Sequence, residues 1–124
     1  MNPEIIIQWP DKKLSPNVRA HWATKSKAKA MARRTAFALA LEAGWRTAWP
    51  EGRLHVWIDG YPPDKRKRDH DNFLASLKAA LDGIAQAMQV DDSRFVPHPF
   101  IKDETKPKGE VRIRITGSAG SNDK

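Results

Sequence analysis

An α+β domain, with two main helices packed on a small mixed β-sheet, is the fold class that this sequence predicts. The chain has 124 residues, a length that suits one domain, because a second core would leave each half too small to be stable. About 40% of the residues are apolar, which is enough to build a real core. The hydrophobic pattern switches between the periods of strands and helices in the order β-α-β-α-β-β.

The first strand and the first helix lie in the first third of the chain. Residues 4–9 form a short β-branched run that ends at Pro10, which predicts a strand buried on both faces. From about Thr24 to Ala43 the chain is rich in alanine, a strong helix former, and Gly44 is a natural stop. The residues of this helix expected to face the core are Ala28, Met31, Thr35 and Leu39.

The middle of the chain predicts a strand and a second helix. Apolar residues at 54, 56 and 58 alternate with other residues, which indicates a half-buried strand closed by Pro62 and Pro63. The second helix is predicted from Asp71 or Asn72 to Met88. Its apolar residues recur at intervals of three and four and form one stripe that packs on the core: Leu74, Leu77, Leu81, Ile84 and Met88.

Two further strands complete the predicted domain. Residues 94–101 are expected to form an extended edge strand interrupted by Pro97 and Pro99. Residues 106–109 turn the chain back, and apolar residues alternate at 111, 113 and 115 in a last strand. The predicted domain covers residues 1–116, and residues 117–124 are a Gly/Ser/Asn tail that we expect to be disordered.

Composition excludes several classes of protein. The chain has no cysteine, so disulfides, thiolate nucleophiles and cysteine-based metal sites are excluded. No apolar run approaches the roughly 20 residues that span a bilayer, and the N-terminus lacks the pattern of a secretion signal. The sequence therefore predicts a cytoplasmic protein without a membrane partner.

The positive charge is concentrated in the first half of the chain. The formal net charge is +7, and residues 1–50 contain nine Lys or Arg residues against three acids. Lys25, Lys29 and Arg33 recur every four residues and form one basic stripe along the first helix. Such a one-sided surface favours a polyanion, because neutralising phosphates releases counterions. A solvated helix face without a partner is the alternative.

Acidic residues cluster directly after four consecutive bases. Asp69 and Asp71 follow residues 65–68, and Asp91-Asp92 comes about twenty residues later. Mg²⁺ takes carboxylate oxygens and shares phosphate ligands, so such a cluster predicts a metal site beside a bound phosphodiester. Each part also has a structural reading: Asp71 as a helix N-cap, Asp91-Asp92 as a turn, and residues 65–68 as a solvated loop.

Lys78 and Asp82 share a helix face with Asp71, since each lies about 20° from it at 100° per residue. A lysine in this position would orient a water molecule or stabilise charge at the phosphate. The alternative is an ordinary ion pair between Lys78 and Asp82.

Four motifs occur in a characteristic order. They are Ser15-Pro-Asn17-x-Arg19-x-His21-Trp22, Arg68-Asp69-x-Asp71-Asn72, Lys78-Ala-Ala-Leu-Asp82 and Val90-Asp-Asp92. In this order, across most of the chain, they resemble the RusA family of Holliday-junction resolvases. Members of that family are small homodimeric Mg²⁺-dependent endonucleases, often encoded by phages and prophages, that nick two opposed strands of a four-way DNA junction.

The resemblance implies a homodimer in the cytoplasm of a bacterial cell, with Mg²⁺ as cofactor and Mn²⁺ as a substitute. It places Asp69, Asp71 and Asp92 on the family's metal-binding acids, with Asp91 as the less certain neighbour of Asp92, and Lys78 on the essential lysine. Lys78 follows Asp71 by seven residues instead of the four of the best-known pattern, which we interpret as a one-turn insertion. The residues expected to guide the DNA backbone are Asn17, Arg19, Lys65, Arg66, Lys67 and Arg68.

The expected function is therefore the resolution of four-way DNA junctions by paired nicks, with Asp69, Asp71, Asp92 and Lys78 as catalytic residues. A metal-dependent nuclease with another DNA substrate and a non-catalytic DNA-binding module remain alternatives. The five tryptophans are scattered without a common period, so we expect most of them to pack in the core or against loops.

Overall fold

A four-stranded mixed sheet forms one layer of the molecule, and helices form the other. The computed structural model describes residues 2–117. The strands are β1 (Glu4–Gln8), β2 (Leu54–Tyr61), β3 (Phe95–Ile101) and β4 (Glu110–Gly117), and the helices are α1 (Trp22–Glu42), α2 (His70–Ser76) and α3 (Lys78–Met88). The predicted α+β class is confirmed. The order of elements also matches the prediction, except that the second predicted helix is divided into α2 and α3.

The strand order across the sheet is β1-β4-β2-β3. β2 and β3 are parallel, whereas β4 runs antiparallel to both β1 and β2. Parallel neighbours need a long crossover, and α2 and α3 supply it here. The segment 62–69 therefore leaves the carboxyl end of β2, and the segment 89–94 enters the amino end of β3. These two segments carry Asp69, Asp91 and Asp92, and Asp71 follows in the first turn of α2.

The two edge strands differ from each other. β3 lies at one edge, as predicted, and its Pro97 and Pro99 do not interrupt it, because a proline is tolerated on an edge strand. β1 lies at the other edge, and the prediction that both its faces are buried is wrong. Ile5 is buried, whereas Ile6 is 49% exposed. The buried residues of β2 and β4 likewise alternate with more exposed ones, so the sheet presents a single face to the core.

Helix α1 begins two residues before the predicted start. His21 caps it, since its Nδ1 accepts a hydrogen bond from the backbone N–H of Ala23 at 3.2 Å. Gly44 follows the helix with a φ of 81°, a left-handed conformation that glycine adopts easily and that ends the helix as predicted.

The predicted core face of α1 is only partly correct. Ala28 and Leu39 are half-buried, but Thr35 is exposed and Met31 is 60% exposed. The fully buried positions are Ala36 and Ala40 instead. The reason is the close approach of α1 to α3: a Cβ on Gly83 would clash with the backbone carbonyl of Arg33. Only small side chains fit between helices that lie this close.

The second predicted helix is divided at Leu77. The backbone N–H of Leu77 bonds the carbonyl of Leu74, three residues earlier, and the Ser76 hydroxyl donates to the carbonyl of Asn72. Side-chain bonding of this kind competes with the regular helical ladder. The predicted apolar stripe is nevertheless confirmed as core. Four of its members are buried and the fifth packs against them: Leu77, Leu81, Ile84 and Met88, with Leu74.

The end of the domain differs slightly from the prediction. Gly117 is the last residue of β4, where it pairs with Leu54, so the tail does not begin at Gly117. The remainder of the predicted disordered tail, residues 118–124, lies outside the described residues. No helix between residues 2 and 117 combines the length and the apolar character that crossing a bilayer requires.

We predict that Gly83→Ala destabilises the domain by roughly 1–3 kcal/mol, because the added methyl group forces α3 away from α1. Chemical denaturation followed by circular dichroism measures this free energy of unfolding. Gln86→Ala is the matched control, since Gln86 is an exposed residue of the same helix, and its effect should stay within about 0.5 kcal/mol. A Gly83→Ala protein as stable as the parent would contradict the close packing.

Candidate functional site

Asp69 and Asp71 lie together at the start of α2. Asp69 is the N-cap: its Oδ1 accepts a hydrogen bond from the backbone N–H of Asp71 at 2.9 Å. The structural reading of Asp71 as the cap is therefore wrong, because Asp71 lies in the first turn. Both side chains are exposed. A carboxylate accepts several hydrogen bonds or ligands at once, so capping leaves Asp69 with free acceptor capacity.

The basic loop before these aspartates contains two kinds of side chain. Lys65, Arg66 and Lys67 are exposed, as expected of residues that contact DNA. Arg68 instead folds inward: its Nη1 donates to the carbonyls of Asp64 and Arg66 at 3.0 and 2.9 Å, and its Nη2 bonds the Asp64 carboxylate at 2.9 Å. Its guanidinium also lies 5.2 Å from the ring centroid of Trp9. Arg68 therefore holds the shape of the loop.

Asp64 anchors this loop. The backbone N–H of Arg66 and the charges of Arg68 and Arg66 lower the pKa of its carboxyl group, so Asp64 is a carboxylate at neutral pH. A cleft of about 500 Å³ lies beside the loop and reaches Asp69 and Asn72. The first acidic pair is thus open to solvent and bordered by three exposed cations.

A second concave surface lies between the first half of α1 and the junction of α2 with α3. We call it the basic groove, and its volume is about 260 Å³. The predicted basic stripe of α1 forms one wall, and Lys13 and Lys78 add two more cations. Its charged lining residues are Lys13, Lys25, Lys29, Arg33, Lys78 and Asp82.

Asp82, which lines this groove, forms a second acidic pair with Asp92. Partial burial, and then the neighbouring carboxyl group of Asp92, raise the pKa of Asp82, while Lys78 and Arg33 act in the opposite direction. Lys78 Nζ lies 3.9 Å from Asp82 Oδ1, and its side chain is 74% exposed. The ion pair with Asp82, which was the alternative role for Lys78, is thus present. It leaves most of the Lys78 side chain available to a phosphate.

The structure distinguishes Asp91 from Asp92. Asp91 Oδ1 accepts a hydrogen bond from the backbone N–H of Ser93 at 2.9 Å and caps the short 3-10 turn formed by residues 92–94. This bond to Ser93 is the main reason that the pKa of Asp91 is lowered. Asp92 is the residue that interacts with Asp82, which favours Asp92 over Asp91 as the third acid.

Asp69, Asp71 and Asp92 do not form one cluster. Between residues 2 and 117 no group of three or more His, Asp or Glu side chains is arranged to hold a metal ion. Asp69 and Asp71 lie at the start of α2, whereas Asp82 lies in α3 beyond the break at Leu77. The acids therefore form two pairs, Asp69 with Asp71 and Asp82 with Asp92.

Each pair has a donor set that suits Mg²⁺, which usually takes one or two carboxylates and completes its shell with water and phosphate oxygens.

The segment before α1 carries the other predicted DNA-contacting residues. The side chains of Asn17 and Arg19 are exposed in this loop, and the backbone N–H of Asn17 donates to Ser15 Oγ at 3.3 Å.

The pairing of Asp82 with Asp92 was missed in the sequence, because nothing in the spacing shows that the turn after α3 folds back onto that helix. The exposure of Trp22 was missed as well, since its neighbours gave no periodic signal.

The chain belongs to a family that includes a protein of the bacterium Xylella fastidiosa, strain Temecula1. The two sequences are 50% identical over 115 residues, which is 91% of this chain and 75% of the relative. The relative is described only as an uncharacterized protein. No protein-family model matches the chain.

We predict that Asp69→Ala lowers the free energy of unfolding by about 1 kcal/mol, because α2 loses its N-cap. Asp69→Asn is the control, since asparagine caps helices about as well as aspartate, and its stability should remain close to that of the parent. Urea denaturation compares the two variants. Equal stability of the Ala and Asn variants would show that the cap contributes nothing.

Proposed function

We propose that the protein is a structure-selective DNA endonuclease that resolves four-way junctions by Mg²⁺-dependent hydrolysis of phosphodiester bonds. The observation that supports this most strongly is Asp82, which lines the basic groove among its cations and interacts with Asp92. Cations attract the DNA backbone, and carboxylates set among them are the ligands that a divalent cation needs. The similarity of the motifs to the RusA family supplies the substrate class.

Asp69 with Asp71, and Asp92 with Asp82, are the carboxylates that would hold Mg²⁺, or Mn²⁺ in its place. Bound at either pair, the cation would acidify a water molecule and neutralise charge at the phosphate. Lys78 would contribute its own charge at the phosphorus oxygens from the edge of the groove. Lys65, Arg66 and Lys67, together with Asn17 and Arg19, would orient the backbone.

A non-catalytic protein that binds branched DNA is the second candidate. The absence of any group of three acids around one metal position between residues 2 and 117 favours it. A nuclease that acts on flaps or linear DNA would use the same acids.

Cleavage of a synthetic four-way junction, compared with a flap and a linear duplex of matched sequence, separates these functions. We expect paired symmetric nicks on the junction only, in Mg²⁺ or Mn²⁺, and none after chelation with EDTA. Tight binding without cleavage in either metal would favour the binding protein. Equal cleavage of the flap or the linear duplex would favour another nuclease.

We predict that Asp71→Asn abolishes nicking but retains or strengthens junction binding, because it removes a metal ligand and also reduces repulsion of the phosphates. Nicking assays and gel shifts measure the two effects on one preparation. Glu51→Gln is the matched control, since Glu51 is an exposed acid in the loop before β2 and should change neither property. Loss of junction binding in Asp71→Asn would contradict the assignment.

We further propose that the protein acts as a homodimer in the bacterial cytoplasm. Two symmetric nicks need two equivalent sites related by a two-fold axis. Light scattering should therefore report about twice the chain mass of 14.0 kDa. A monomeric mass, measured while paired nicking is intact, would contradict the dimer.

A further inference from the structure

The most exposed large apolar side chain described in residues 2–117 is Trp22, with 75% of its surface open to solvent. The other tryptophans differ from it. Trp45 is buried, and Trp9 and Trp49 pack against the core. Trp57 stacks on His98 with ring centroids 4.2 Å apart. A tryptophan left in water suggests a partner, because indole rings contribute a large apolar surface when they are covered.

Trp22 is the first residue of α1, directly after the capping residue His21. The imidazole of His21 stacks on the indole, with ring centroids 5.7 Å apart and an angle of 29° between the planes. The helix and the neighbouring ring together hold the indole on the surface.

Trp22 lies at the end of the basic stripe of α1. At 100° per residue, Lys29 and Arg33 lie within about 20° of Trp22 around the helix axis, and Lys25 lies about 60° away. The stripe from Trp22 to Arg33 is about 16 Å long at 1.5 Å per residue. A nucleic-acid strand rises about 3.4 Å per phosphate, so this length matches some five phosphates of one strand.

A row of cations that ends in an aromatic plane is the arrangement that binds a strand and stacks on one of its bases. In a linear duplex every base is already stacked between its neighbours, whereas regular stacking is interrupted at a branch point. Displacing a base takes least free energy where its stacking or pairing is already incomplete.

We propose that Trp22 stacks on a base at the branch point of the DNA while Lys25, Lys29 and Arg33 hold the phosphates of the same strand. The indole is then a determinant of selectivity for branched over linear DNA. This inference rests on the proposed function, since it names the feature of the junction that the basic groove recognises.

The test compares the binding of a four-way junction and of a linear duplex, without divalent metal, by the parent protein, Trp22→Ala, Trp22→Phe and Met31→Ala. Removing one base-stacking side chain weakens binding about 5- to 150-fold. We expect Trp22→Ala to weaken junction binding by this factor and to leave duplex binding within about twofold of the parent. Trp22→Phe should restore most of the junction affinity, because a phenyl ring also stacks.

Met31→Ala is the matched control, since Met31 is an exposed apolar residue of the same helix, about 180° from Trp22 around its axis. Its junction affinity should be unchanged. A second readout is photocrosslinking of a junction that carries 5-iododeoxyuridine at the branch point. We expect the adduct to map to Trp22, and a junction with the label in a distant arm should give little adduct there.

Four results would overturn the inference. Equal junction binding by Trp22→Ala and the parent, or adducts that map elsewhere, would reject the role of Trp22 while leaving the proposed function intact. A change from dimer to monomer in Trp22→Ala would place Trp22 between two copies of the chain. No preference of the parent protein for the junction over the duplex would contradict the proposed function and the branch-point contact together.

Discussion

The close contact between α1 and α3 determines where the charged groups of this protein lie relative to one another. Gly83 allows the backbone of α3 to approach the carbonyl of Arg33, and Ala36 and Ala40 continue the contact toward the end of α1. With the two helices held in this way, the first half of α1 directs its basic stripe toward the junction of α2 and α3. The basic groove is thus a consequence of helix packing.

Opposing electrostatic effects act on the pKa of the Asp82 carboxyl group. Burial and the carboxyl group of Asp92 raise its pKa, whereas Lys78 and Arg33 lower it. The net shift is upward, so the surrounding cations do not fully compensate the two effects that disfavour the charged form. Under the proposed function, a divalent cation between the two carboxylates would offset these effects, because it would interact with both.

Two of the predicted acids also have structural roles. Asp69 caps α2, and Asp91 caps the turn before β3. For Asp69 the two roles are compatible, since a carboxylate that bonds one backbone N–H keeps other lone pairs. For Asp91 the capping bond accounts for its position, and Asp92 is the residue that interacts with Asp82. A cap and a metal ligand therefore need not be alternatives, although they look like alternatives in the sequence.

Local patterns predicted the elements of the fold well. The alternation at residues 54, 56 and 58, the apolar stripe from Leu74 to Met88 and the stop at Gly44 each depend on neighbouring residues alone. The errors concern long-range contacts. Met31 was expected in the core because of its helical spacing, but it is 60% exposed, and the buried positions of α1 are Ala36 and Ala40. Ile6 was expected to be buried, but β1 lies at an edge of a sheet that presents one face to the core.

The candidate site shows the same difference between what local patterns predict and what long-range contacts decide. The sequence by itself determined which residues have the chemistry: the acids near 70 and 91, the basic loop and the basic stripe, since charge and spacing are local properties. Only the tertiary structure decided which of them meet. It joined Asp92 to Asp82, turned Arg68 inward and left Trp22 exposed at the end of the stripe. The pairing of Asp92 with Asp82 depends on how the crossover of α2 and α3 returns the chain to β3, and no local pattern encodes that path.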